Sequence, residues 1–77
     1  MSNAKRYRVR YCVRVAGGGL WPAGREIEAN SLGEAIEGAK TAEARDARNA
    51  GKRDLSYFGP TSTYPNGAYA ELISRED

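Results

Sequence analysis

The 77-residue chain contains no histidine and only one cysteine. Without histidine the usual general base of an enzyme is missing, and a single thiol builds neither a disulfide framework nor a typical zinc site. No apolar run approaches the roughly 20 residues that cross a bilayer, and the polar N-terminus does not resemble a secretory signal. We therefore expect a cytoplasmic protein with no catalytic residue, no metal, no cofactor and no membrane partner.

The composition is that of a small globular domain, with 40% hydrophobic and 29% charged residues. We expect one domain over residues 1–77, with flexible ends at 1–5 and 75–77. A chain of this size buries only about 60% of the surface that its unfolded form exposes, so its core is small. A partner or a second copy would add stability, and we expect either a monomer or a homodimer.

A net charge of +2 conceals an uneven distribution. Every charged residue from 1 to 25 is basic, most of those from 26 to 46 are acidic, and a second basic group follows. Such asymmetry is typical of nucleic-acid surfaces, although the two halves of a compact domain can also neutralise each other.

The clearest pattern is the alternation from Arg6 to Val15. One parity holds Tyr7, Val9, Tyr11, Val13 and Val15, and the other holds Arg6, Arg8, Arg10, Cys12 and Arg14. This period of two predicts a half-buried strand whose apolar face is internal, because four guanidiniums need solvent or partners. Cys12 has no recognisable base partner, so we interpret it as a passive thiol on the polar face.

A glycine-rich segment with Pro22 predicts a hairpin loop over 16–24, followed by a strand over 25–29. That strand would place Glu26 and Glu28 beside the arginines. Two interpretations of the arginine row remain open, a solvated face partly neutralised by these carboxylates and a binding face. If four arginines contacted phosphate, the affinity would fall with salt at a log–log slope of about −3.6.

Ser31 and Glu34 form a capping-box pattern that predicts a helix start, and Gly51 predicts its end. Gly38 weakens the alanine-rich helix, so we expect its second half, 41–50, to be less secure. Further strands are predicted at 55–58 and 68–73, with a β-compatible segment at 61–64 and a turn at 65–67. The order β-β-α-β-β predicts an α+β fold, an antiparallel sheet of about four strands with one helix packed across one face.

Residues with charge or aromatic surface form the candidate partner-binding set. It comprises Arg6, Arg8, Arg10, Arg14, Trp21, Lys52 and Arg53. Trp21 is either an exposed anchor at the loop tip or an indole folded over the sheet edge. Tyr7 and Tyr11 are on the core side and unavailable for stacking on bases, so sequence-specific nucleic-acid recognition is disfavoured.

From Gly24 to Ala35, where a strand ends in Ile-Glu-Ala before a Ser-Leu cap and an alanine-rich helix, the chain resembles small phage-encoded anti-CRISPR proteins that act on type I CRISPR systems. The resemblance implies a non-enzymatic inhibitor in the bacterial host cytoplasm. Such a protein docks on a subunit of an RNA-guided surveillance complex and blocks target DNA binding. Inhibitors that mimic DNA are acidic and this chain is slightly basic, so it would bind through protein contacts or touch nucleic acid itself. The alternatives are a small basic nucleic-acid-binding accessory protein and an antitoxin-like partner protein.

Overall fold

The computed structural model describes residues 4–75, with side chains as far as Ile73. Its elements are β1 (Lys5–Arg14), β2 (Leu20–Ala29), α1 (Leu32–Asn49), β3 (Ser56–Tyr57) and β4 (Tyr69–Arg75). This confirms the α+β fold, one helix on a four-stranded antiparallel sheet. Of the ends expected to be flexible, Lys5 and Arg75 lie in strands, while 1–3 and 76–77 lie outside the described residues.

β1 is the central strand. It pairs with β2 along one side over its whole length, and with β3 and then β4 along the other. Every pairing is antiparallel, so side chains on one face of the sheet form rows across the strands. We call the side that carries α1 the helix face and the opposite side the open face.

The core lies between β1 and α1. Tyr7, Val9 and Tyr11 are buried, and Ala35 and Ala39 of the helix pack against them. The predicted inward parity of β1 is therefore confirmed. Alanine side chains allow the helix to lie close to the sheet, which suits a domain with few large aliphatic residues.

The helix runs without a break from Leu32 to Asn49, through the half that was expected to be less secure. Ala42 is buried. Gly38 allows the helix to lie close to β2, since a Cβ at this position would lie 2.9 Å from Ile27 Cγ2. The Glu34 N–H donates to Ser31 Oγ at 3.2 Å, as the cap prediction requires. Gly51 has a φ of +68° and ends the helix with the left-handed conformation that glycine favours.

β2 begins at Leu20, so the prediction of a loop over 16–24 is wrong for its second half. The turn is made by Gly17 and Gly18, both at positive φ. Pro22 is tolerated inside the strand because β2 is an edge strand, and the nitrogen of Pro22 is on the side away from β1. The strand is therefore ten residues long.

The segment 61–64 is not a strand. The Tyr64 N–H donates to Thr61 Oγ1 at 2.8 Å, and the Thr61 N–H donates to the Tyr64 carbonyl at 3.0 Å. These local bonds satisfy backbone groups that a strand would present to a neighbour. The predicted strand at 55–58 is likewise reduced to the two residues Ser56–Tyr57.

Candidate partner-binding site

Two arginines of the open face are neutralised by the neighbouring strand. The β1–β2 register places Arg6 opposite Glu28 and Arg8 opposite Glu26. Arg6 lies 3.6 Å from a carboxylate oxygen of each glutamate, and Arg8 Nη2 lies 3.2 Å from Glu26 Oε2. The ion pairs expected between the arginine row and Glu26 and Glu28 are therefore present in this half of the face.

Arg10 is paired from the other side of β1. Its Nε donates to Glu71 Oε1 of β4 at 3.0 Å. This hydrogen bond raises the pKa of the Arg10 guanidinium. Glu71 was not expected to face the arginines, because sequence alternation cannot reveal which strand lies on the second side of β1.

Arg14 differs from the other three arginines, since the described residues offer it no ion pair. Its guanidinium lies over the Tyr57 ring, 5.2 Å from the centroid. The backbone N–H of Arg14 donates to the Leu55 carbonyl at 2.8 Å, and Leu20 is the register partner of Arg14 on β2. Leu20 and Leu55 thus flank Arg14 on either side, and both are more than 40% exposed.

Trp21 lies inside β2 and not at a loop tip. It is opposite Val13, one residue along from Leu20, and is 64% exposed, the highest value among the exposed large hydrophobic residues. Its parity is that of the helix face. We call the group Arg14, Leu20, Trp21 and Leu55 the sheet-end surface.

Lys52 and Arg53 are exposed in the segment that joins α1 to β3. Within residues 4–75 neither has an ion pair, and Arg53 precedes Leu55 by two positions. The seven candidate residues therefore divide by environment. Arg6, Arg8 and Arg10 are neutralised along the strand, whereas Arg14, Trp21, Lys52 and Arg53 retain exposed charge or apolar surface.

Cys12 has the polar parity of β1 but is only 1% exposed. Tyr57 of β3 lies opposite Cys12 in the β1–β3 ladder. The Sγ of Cys12 is 3.9 Å from Thr61 Oγ1. The expectation of a thiol on a solvated face is wrong, because β3 and the loop after it cover this part of the open face.

Sequence reasoning missed a charged cluster on the helix face. Arg25 donates to Glu43 at 3.1 Å and to Asp46 at 2.9 Å, and the Tyr11 hydroxyl donates to Glu43. The hydrogen bond to Asp46 raises the pKa of Arg25, and the one from Arg25 lowers the pKa of Asp46. Burial, followed by the Glu43 hydrogen bond, raises the pKa of Tyr11 to about 12.

The sequence did contain a signal for this cluster. Arg25 shares the parity of Ile27 and Ala29, so the strand that faces Ile27 inward must also face Arg25 towards the helix. Glu43 and Asp46 are three positions apart and so lie on the same side of α1. These contacts join β1, β2 and α1 across the helix–sheet interface, where the buried Arg25 Nε has no hydrogen-bond partner among the described residues.

An open cavity of about 310 Å³ lies beside the loop before β4 and is lined by residues 63–69. Tyr64 and Tyr69 meet edge to face there, with ring centroids 5.5 Å apart. Residues 4–75 contain no group of three or more acidic or cysteine side chains arranged for a metal ion. Over the same span, α1 is not apolar enough to cross a membrane.

Comparison of the chain with protein-family models, with curated proteins and with solved structures finds no match.

Proposed function

We propose that this protein is a non-enzymatic inhibitor that docks on a protein partner through the sheet-end surface. In line with the resemblance of residues 24–35 to anti-CRISPR proteins, the proposed partner is a subunit of a type I surveillance complex. The proposal rests on one observation, the exposed Leu20 and Leu55 on either side of an Arg14 that has no carboxylate partner among the described residues, with Trp21 exposed at the same end of the sheet on the helix face.

The composition of this surface is that of a binding hot spot. Tryptophan and arginine dominate the energetics of protein interfaces, because they bury large areas and, in the case of arginine, pair in a fixed geometry. Two leucines widen the apolar area around them. Lys52 and Arg53 add positive charge nearby, so an acidic rim on the partner would suit this end of the sheet.

The arginine row itself supports direct nucleic-acid binding less than the sequence suggested. Phosphate would have to displace Glu26, Glu28 or Glu71 from Arg6, Arg8 and Arg10. Among the seven candidate residues, only Arg14, Lys52 and Arg53 present cations with no ion pair to a described residue. If these three contacted phosphate, the salt slope for DNA would be about −2.7, against the −3.6 expected for a full row.

A gel shift tests the proposal. A type I-C or I-F surveillance complex is mixed with duplex DNA, with and without this protein, and one lane holds the protein and DNA alone. We expect the wild-type protein to abolish the shift of the complex without shifting DNA itself. A shift in the protein–DNA lane would favour the nucleic-acid alternative.

Matched variants locate the surface. Arg14→Ala and Trp21→Ala should each weaken inhibition at least about tenfold, as expected of hot-spot residues. Arg8→Ala removes an arginine that is already paired, and Leu72→Ala removes an exposed leucine from β4, so both should inhibit like the wild type. Failure of the wild type to bind any effector complex or to relieve interference in cells would refute the inhibitor proposal. A co-purified protein unrelated to CRISPR would favour the antitoxin-like alternative.

A further inference from the structure

The outer side of β2 is a free sheet edge. Within residues 4–75, β2 pairs with β1 and with no other strand. The Val15 N–H donates to the Gly19 carbonyl at 3.0 Å, so Val15 and Gly19 form a hydrogen-bonded pair of the β1–β2 ladder. Hydrogen-bonded pairs recur at every second residue, so the odd-numbered residues of β2 bond to β1 and the even-numbered ones point outward. The backbone N–H and C=O groups of Leu20, Gly24, Glu26 and Glu28 therefore point away from β1, as does the C=O of Pro22.

The opposite edge of the sheet is less suited to pairing. β3 is only two residues long, and β4 is separated from it and has a register shift opposite Arg6 and Tyr7. β2 is ten residues long and continuous. A long exposed edge is a template for strand addition unless it is blocked, and β2 carries a single block, the missing N–H of Pro22.

We propose that β2 pairs antiparallel with β2 of a second copy of this chain, with Gly24 on the two-fold axis. In this register every outward residue of β2 meets an outward residue of the partner strand. Gly24 meets Gly24, Pro22 meets Glu26, and Leu20 meets Glu28. A shift of the centre to Ala23 or to Arg25 would leave outward groups at one strand end opposite residues beyond β2.

Charge selects the same register. When Gly24 is central, Glu26 lies opposite proline and Glu28 opposite leucine, so no like charges face each other directly. A centre at Glu26 would place two glutamates opposite each other, and a centre at Arg25 would do the same with two arginines, which is destabilising. A centre at Pro22 would place Glu26 and Glu28 opposite Gly18 and Ala16, which lie outside β2.

The side chains on the helix face also fit this pairing. Trp21 lies opposite Ile27 of the second copy, and Ile27 is itself packed against the core. The indole, 64% exposed in the single chain, would be covered by an apolar neighbour. Gly24 has no side chain, so the two backbones approach freely at the axis.

The dimer does not depend on the proposed inhibitory function, but it would cover part of the docking surface. Leu20 and Trp21 belong to both surfaces, so Trp21→Ala does not separate them. Arg14 and Leu55 lie on the far side of Leu20 from the two-fold axis, and Arg14→Ala should weaken docking and leave the dimer intact. Glu26→Pro should abolish dimerisation without removing a docking residue, because it removes an outward N–H without removing a β1–β2 hydrogen bond.

Hydrogen exchange of the wild-type protein tests the proposal without any variant. As the concentration rises to about 1 mM, which reveals even a weak dimer, the outward amides of Gly24, Glu26 and Glu28 should exchange at least about tenfold more slowly. The inward amides of Ala23, Arg25 and Ile27 bond to β1 and serve as controls that are protected at every concentration. Sedimentation in parallel should show twice the 8.4 kDa chain mass.

Glu26→Pro and Glu26→Ala form the matched pair of variants. Both lose the carboxylate that contacts Arg6 and Arg8, but only the proline loses the outward N–H, so only Glu26→Pro should sediment as a monomer. Circular dichroism establishes that each variant is folded. A wild-type chain that remains monomeric at about 1 mM would overturn the proposal. A dimer whose outward β2 amides stay unprotected would also overturn it.

Discussion

Arg8 and Arg25 are both paired with carboxylates, but they lie on opposite faces of the same sheet. The Arg8–Glu26 pair is on the open face, with both side chains more than 40% exposed. The Arg25–Glu43 pair lies under the helix, with exposures of 27% and 21%, and shares its carboxylate with the Tyr11 hydroxyl. The two ion pairs have similar N–O distances but should contribute differently to stability, because water screens the first pair more strongly than the second.

The largest effect should come from Glu43→Ala. This change leaves the Arg25 guanidinium and the Tyr11 hydroxyl without their shared acceptor in a partly dry interface, and we expect a loss of about 2 kcal/mol in unfolding free energy. Urea denaturation measures it. Glu37→Ala is the control, because the Glu37 side chain is 74% exposed and its carboxylate pairs only with Lys40 among the residues described. Equal losses for the two variants would remove the distinction between a covered charge cluster and an exposed ion pair.

Alkaline unfolding should reveal the same cluster. The pKa of Tyr11 in the folded state is about 12 against an ordinary 10.0, so the folded protein holds this proton more tightly than the unfolded chain. The resulting stability is complete below pH 10 and is lost as the pH rises towards 12, on the order of 2 kcal/mol in all. Tyr11→Phe should be less stable at neutral pH and lose this part of the pH dependence. Parallel stability curves for the variant and the wild type between pH 10 and 12 would contradict the assignment.

Two glycines of α1 sharpen the contrast between covered and open surface. Gly38→Ala gains about 1 kcal/mol of helix propensity but pushes a methyl group against Ile27, and we expect a net loss of about 1 kcal/mol. Gly33→Ala adds its methyl group where no atom lies within 4 Å and should stabilise by about 0.5 kcal/mol. Thermal melting of both variants measures these opposite changes in stability. Stabilisation by Gly38→Ala would mean that the helix does not lie as close to β2 as its geometry indicates.

The smallest effect should come from Arg8→Ala on the open face. The exposed ion pair with Glu26 contributes at most about 1 kcal/mol, and added salt should reduce this further. Denaturation at low and at high salt measures the contribution of the ion pair and its reduction by salt. A loss as large as that of Glu43→Ala would show that the open face is covered, for example by a second molecule.

Alternation along β1 was sufficient to predict which of its side chains pack against the helix, because a strand has only two faces and the arginines could not face the core. The capping residues Ser31 and Gly51 likewise predicted both helix ends. The start of β2 could not be predicted, since proline and glycine indicate a loop unless the strand is known to be at an edge. The pairing of Arg10 with Glu71 and the burial of Cys12 depend on strands that are distant in sequence and short, and local patterns contain no information about such contacts.

Trp21 and Arg14 were identified as candidates from residue type and position. The difference between Arg14 and the other three arginines could not be predicted, because it depends on where carboxylates lie in the folded sheet. Leu20 and Leu55 were missed for the same reason. Each is an ordinary apolar residue until the register places both beside Arg14.

The position of Cys12 provides a built-in probe of local opening. Its thiol is covered by the two-residue strand β3 and by Thr61 in the loop that follows it. A thiol reagent can modify it only after this cover lifts, so the modification rate counts opening events at one edge of the sheet while the core of β1 and α1 stays folded. Because the sequence contains a single cysteine, the modification rate of Cys12 reports this local opening without an introduced label.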